Sequence, residues 1–154
     1  MERPYFAFTS KNPNNCRSII TKVSVGRVSE GKEGMFETTA LWDTGAESSV
    51  ITPDVVRALD LKPLGRRNNI HAGGISEVNI YAVDILLPNK VKINNVLVSE
   101  CAEQYGRFGL IVGMDIISMG DFSISGPTQA RTVSFSIPSN LVVDFVQIFN
   151  NDNR

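Results

Sequence analysis

A chain of 154 residues with 42% hydrophobic and 8% aromatic content can bury the core of one compact domain and is short for two. Its 15 Lys and Arg stand against 16 Asp and Glu, a net charge of −1 with both signs scattered, so no electrostatic footprint points to nucleic acid or an anionic membrane. The two cysteines, Cys16 and Cys101, lie far apart with no C-x-x-C or Cys/His cluster to hold a metal, and read as free thiols of a reducing compartment. No apolar run approaches the ~20 residues that span a bilayer, and the N-terminus lacks the basic start and long apolar run of an export signal. The expectation is a cytoplasmic protein with no membrane, nucleic-acid or metal partner and no cofactor.

In chain order, residues 1–15 are rich in proline and asparagine and read as an extended or mobile arm whose Tyr5, Phe6 and Phe8 could dock on a neighbour. From 16 to 28 the β-branched Ile19, Ile20, Thr21, Val23, Val25 and Val28 predict a strand. Glu30-Gly31-Lys32-Glu33-Gly34 is a hairpin turn by composition, and 35–42 predicts the next strand. That strand runs into Leu41-Trp42-Asp43-Thr44-Gly45-Ala46, where Gly45 permits a turn too tight for a residue with a Cβ. Asp43 therefore stands at the end of a buried strand. A carboxylate so placed is a functional candidate, although D-x-G by itself is more commonly a turn cap.

Beyond this loop, 48–51 predicts a short strand and 53–59 a brief helix, with Thr52 as N-cap, Pro53 in the first turn, and Val55, Val56 and Leu59 on one side. Pro63-Leu64-Gly65 ends it, and the adjacent basic pair Arg66-Arg67 reads as a solvated loop. Residues 68–87 predict two β segments around a flexible tip at Ala72-Gly73-Gly74, and 91–98 a hairpin partner beyond Pro88-Asn89. After a polar connection at 104–108, Leu110-Ile111-Val112 is wholly apolar and suits burial on both faces. One helical turn at 116–119 and strands at 121–125 and 131–137 follow. In the tail, Leu141, Val142, Phe145, Ile148 and Phe149 fit helical spacing with Ser139 or Asn140 as cap, while the β-branched content suits a strand equally. The inventory is all-β with turns at short intervals, as a closed barrel requires.

The D-T-G-A stretch behind an apolar pair resembles the active-site loop of the retroviral, or retropepsin-like, aspartic proteases. His71-Ala72-Gly73-Gly74-Ile75 resembles the tip of that family's flap, and Gly109-Leu110-Ile111-Val112-Gly113-Met114-Asp115 the segment passing beside the catalytic loop. The likeness runs from about residue 39 to 124. Each motif alone is weak, and the three in order are fairly specific.

The resemblance implies an all-β half-barrel with a flap hairpin and one or two short helices, assembling as a homodimer. It places the domain at 16–138, between the arm 1–15 and a tail 139–154 that serves dimerisation or covers the core. Nothing after residue 90 repeats L-W-D-T-G-A, so the second carboxylate is that of a symmetry mate, Asp43 facing Asp43 across a two-fold axis. Two carboxylates at about 3 Å share one proton and hydrolyse a peptide bond through an activated water, without covalent intermediate, metal or cofactor. Thr44 would cross-bond to the other subunit's loop, and the Gly45 backbone would touch an outer carboxylate oxygen or the substrate. Ala46, where related bilobal enzymes often carry Ser, removes a donor and moves the pH optimum towards neutrality. The flap, Ala72, Gly73, Gly74 and Ile75, would close over an extended peptide lying as an added strand. Pockets lined by Val50, Ile75 and Val112 would favour cleavage between apolar residues.

Three departures stand out. Glu47 and Met114 occupy the positions where retroviral members carry a structural Asp–Arg pair, leaving Asp115 or Arg107 to replace it. Trp42 stands where a smaller aliphatic residue is usual and needs a larger cavity or a different neighbour. His71, beside the flap tip, reads best as a solvated loop histidine. An endopeptidase, a peptide-binding module keeping the fold and a purely structural dimerisation domain all fit such a chain, and the retained Asp-Thr-Gly favours the first.

Overall fold

The computed structural model describes residues 6–12, 17–71, 73–101 and 107–151. Strand β2 (Ile19–Arg27) follows the two-residue period of its sequence, burying Ile19, Thr21, Val23 and Val25 while Ile20 and Lys22 face outward. It pairs antiparallel with β3 (Phe36–Trp42) across a short 3₁₀ turn, in a register that sets Ile19 opposite Trp42. After β4 (Val50–Ile51) comes helix α1 (Pro53–Ala58), with Pro53 in its first turn and Val55 buried. Thr52 occupies the N-cap position, but its side chain makes no capping bond.

The hairpin of β5 (Gly65–His71) and β6 (Gly74–Leu86) is followed by β7 (Lys92–Glu100), β8 (Leu110–Val112) and the single turn α2 (Met114–Ile117). Sheet order is β2-β3-β8-β4-β7-β6-β5, and a further β2–β6 pairing closes the first six strands into a ring with β5 outside it. Strand β8 enters between β3 and β4, parallel to one and antiparallel to the other, which explains why its three residues carry no polar side chain.

A second sheet runs β1 (Phe6–Asn12), β10 (Arg131–Ile137), β9 (Asp121–Ser125), all antiparallel. Residues 6–12 of the expected arm thus form a strand of this chain's own sheet, and Phe8 is buried within the chain. Trp42 finds its space here. Its ring stacks on Phe122 at 5.4 Å and meets Phe8 at 5.6 Å and Phe135 at 5.2 Å, while Nε1 donates to the Thr21 hydroxyl at 2.9 Å. The cluster joins the second sheet to the barrel. Aromatic contacts of this kind each add about 0.5–1.5 kcal/mol beyond the area they bury.

Three local expectations are corrected. Arg66 and Arg67 lie in strand β5, not in a loop, because the hairpin with β6 extends back to Gly65. The helical turn at 116–119 begins two residues earlier, at Met114, since Gly113 accepts the first backbone bonds from Ile116 and Ile117. The tail is helical over α3 (Phe145–Asn151), and neither Ser139 nor Asn140 caps it. Asp144 accepts from the Val146 and Gln147 amides instead, whereas Ser139 and Asn140 donate to the Asp121 carboxylate. No helix among the described residues is long and apolar enough to cross a membrane.

Asp84, only 2% exposed, sits where the β6–β7 register shifts. Its carboxylate accepts from the Asn95 and Ser29 amides and pairs with Lys92 at 3.2 Å. Burial would raise its pKa. The Asn95 N–H, the Lys92 ammonium and the Ser29 N–H together outweigh that and hold it below the ordinary value of 3.8. A depressed folded-state pKa stabilises the fold above the unfolded value, and the stabilisation is lost as pH falls below about 3.8 towards the folded value. Asp84→Asn is expected to cost about 1–3 kcal/mol at pH 7 and to flatten this acid limb, read from urea unfolding at a series of pH values between 2 and 7.

Candidate active site

Strand β3 carries the chain out of the core, with Ala40 and Trp42 buried and Asp43 half-buried just beyond. The Asp43 amide donates to the Val112 carbonyl at 2.9 Å, tying the loop to β8. The Gly45 amide donates to Asp43 Oδ1 at 2.8 Å and the Ala46 amide to the Asp43 carbonyl at 3.2 Å, so Thr-Gly-Ala folds back onto the acid it follows. One carboxylate oxygen is thereby oriented. Oδ2 accepts no bond among the described residues.

The far side of the loop is held by the residues after β8. Met114 and Asp115 amides donate to the Ala46 and Glu47 carbonyls at 2.8 and 3.1 Å. At Gly113 a Cβ would come within 2.7 Å of the Ser48 carbonyl carbon and 2.9 Å of the Ala46 oxygen, so only glycine permits this approach. Asp115 supplies the anchor. Its carboxylate accepts from the Ser49 amide at 2.8 Å, the Ser49 hydroxyl at 2.7 Å and the Ile116 amide at 2.9 Å, while the Ser49 Oγ accepts from the Gly113 amide at 3.0 Å. Of Asp115 and Arg107, it is Asp115 that anchors the loop, through neutral donors, while among the described residues Arg107 contributes to the neighbourhood a carbonyl that accepts from Thr39.

Facing the loop, a cleft of about 570 Å³ is bounded by 45–48 and Val50 on one wall, Arg67 to Ile70 of β5 on the other, and Ser99 at its base. Of the sequence-derived site residues, Gly45, Ala46 and Val50 line it, and Thr44 is exposed beside it. Gly73 and Gly74 form the hairpin tip, Gly74 with a φ of +123° that side-chain-bearing residues rarely adopt. Ala72 lies outside the described residues. Ile75 is 70% exposed and pairs across the hairpin with Ile70, which is 80% exposed and is the one of the two that lines the cleft.

Val112 is corrected. It is 0% exposed because its side chain, like that of Leu110, lies on the face of β8 that is buried in the core, and it meets the loop through its carbonyl, not as a pocket wall. Ser49, Ile70 and Ser99 were not singled out by the sequence, and Arg67 was read there as part of a solvated loop, since their places arise from tertiary contacts that no local pattern records. Among the described residues no group of three or more His, Cys, Asp or Glu is placed to hold a metal.

Comparison with solved structures decides the architecture. The chain superposes on a retropepsin-like aspartic protease from Rickettsia conorii with a TM-score of 0.54, covering 88% of this chain and 98% of that one at 8% identity. The fold is retropepsin-like. Simian foamy virus protease (TM-score 0.46, 12% identity, 65% of this chain and 92% of that one) was also matched. So was a foamy viral protease-reverse transcriptase bound to an RNA/DNA hybrid (0.47, 18%, 88% of this chain and 14% of that one). No protein-family model and no curated protein matches the sequence. Within that fold, β5 and β6 form the hairpin that faces the Asp43 loop across the cleft, and β8 is the strand threaded beside that loop.

Removing the Ser49 hydroxyl strips the Gly113 amide of its partner and Asp115 of one donor in a buried setting. Ser49→Ala is expected to cost about 1–3 kcal/mol, whereas Ser118→Ala on the adjacent turn stays within about 0.5 kcal/mol, both measured by urea denaturation.

Proposed function

We propose that this chain is an aspartic endopeptidase, acting as a homodimer that brings Asp43 and its symmetry mate together. The observation that carries the reading is Asp43 itself: an acid at the end of a buried strand, one oxygen held by the Gly45 amide and the other unclaimed, beside a cleft on a retropepsin-like fold. One D-T-G per chain supplies half a dyad, and a two-fold axis at the loop supplies the rest.

In that dimer the two carboxylates share one proton. The ionised member takes a proton from a bound water, whose oxygen adds to the scissile carbonyl, while the protonated member donates to the forming oxyanion. Collapse of the tetrahedral intermediate returns a proton to the leaving amine. Thr44, exposed on the loop, would bond across the two-fold to fix the dyad. The substrate would lie extended between the loop and the flap, with Val50 and Ile70 offering apolar contacts on either side of the scissile bond. The glycines of the tip would let the flap close and expel water.

Digestion of a complex peptide mixture, read by mass spectrometry from about pH 4 to pH 8, tests this alongside sedimentation of the same sample. Wild type should sediment as a dimer and cut between apolar residues, and Asp43→Asn should lower the rate at least about a hundredfold without unfolding. A dimeric wild type that cuts nothing, or cuts that persist in the variant, would replace this reading with that of a peptide-binding module.

A further inference from the structure

Arg66 and Arg67 are neighbours on strand β5 and so address different surroundings. Arg66 is neutralised within the hairpin by Glu77 at 3.1 Å. Arg67 lines the cleft beside the catalytic loop, and no carboxylate lies within 4 Å of it among the described residues. Its Nη2 donates to the Ser99 Oγ at 3.1 Å, and Ser99 is only 2% exposed, fixed by strand pairing to Val50 and Ile80. A guanidinium carries five N–H donors in a planar fork, so this one bond orients the group and leaves donors for a ligand. The other charged wall residue, Glu47, is exposed on the loop opposite and makes no ion pair with Arg67. The rest of the cleft wall is neutral: Ser48, Asn68 and Asn69 beside the apolar Val50 and Ile70.

From this we infer that Arg67 is a specificity-determining residue, reading an acidic side chain, Glu or Asp, at one fixed position of the peptide bound in the cleft. The inference rests on the peptide-cleaving reading of the same cleft and adds to it. Val50 and Ile70 take apolar side chains, and a carboxylate at the Arg67 position makes the charge-assisted fork that a neutral amide cannot. Burial of that pair under a bound peptide strengthens it over an exposed surface pair, and salt weakens it. Glu47, on the opposite wall, opposes an acid there, so its removal sharpens the preference.

The test uses the full chain and a synthetic library of octapeptides with an apolar central pair and Glu, Gln or Lys placed in turn at each other position. Wild type is expected to cut Glu peptides about tenfold better in kcat/KM than their Gln twins at one offset from the scissile bond, less so at 0.5 M NaCl. The ratio should fall to near one in Arg67→Gln, turn in favour of Lys in Arg67→Glu, and rise in Glu47→Gln. No offset preference in wild type, or one unchanged in Arg67→Gln, overturns the inference while leaving the protease reading intact. If wild type cuts nothing, the protease reading fails by itself. The same Glu and Gln peptides, labelled and followed by fluorescence anisotropy, then decide: tighter binding of the Glu peptide that Arg67→Gln abolishes supports the role of Arg67, and equal or absent binding overturns it.

Discussion

The Asp43 loop has its shape because β8 is threaded between the strand that delivers Asp43 and the strand that follows it. That insertion places Val112 O under the Asp43 amide and brings Gly113 to within contact of the Ala46 and Ser48 backbone. Loop residues 43–49 then have partners on both flanks, and Asp115 closes the arrangement by gathering the Ser49 amide and hydroxyl. A carboxylate satisfied by three neutral donors costs less to bury than an unpaired one and avoids the desolvation of two opposite charges. The same mechanical task that an ion pair can do is done here by a serine and an aspartate.

A second constraint sits on the opposite side of β3. Trp42 immediately precedes Asp43, and its ring is held by Phe8, Phe122 and Phe135, with the indole N–H satisfied by Thr21. The residue next to Asp43 is therefore a pillar of the junction between the two sheets. Side chains of successive extended residues point to opposite faces, so the chain can bury Trp42 in the core and leave Asp43, the next residue, half-buried at the start of the loop that lines the cleft. Rigidity of the first supports the orientation of the second.

The cleft itself is built from elements of unequal firmness. Its loop wall is locked by the contacts just described, and its base by Ser99, buried and paired to two strands. Its other wall is β5, which lies outside the closed ring and, among the described residues, pairs along one edge, with β6. The hairpin tip carries glycines and two exposed isoleucines, Ile70 and Ile75, and so has little internal burial to hold it. Asp43 thus stands beside the firmly held wall, and the glycine tip belongs to the wall with less burial.

The sequence by itself determined most of the strands, the place of Asp43 at a strand end, and the order of loop, glycine-tipped hairpin and threaded segment, because each depends on local pattern: period-two burial, a D-T-G turn, paired glycines, an apolar tripeptide. Leu110–Val112 and the strands at 121–125 and 131–137 have the limits that their residues predict. Tertiary structure alone decided that Val112 is core, that the early segment 6–12 completes a sheet with β10 some 125 residues away in sequence, as the Thr9–Ser134 contact records, and that Asp144 caps the last helix. It alone joined Ser49 to Asp115 and set Arg67 over Ser99. Those facts turn on which strands lie side by side, and pairing between distant segments is settled by the global packing of the barrel, a quantity that no window of neighbouring residues contains.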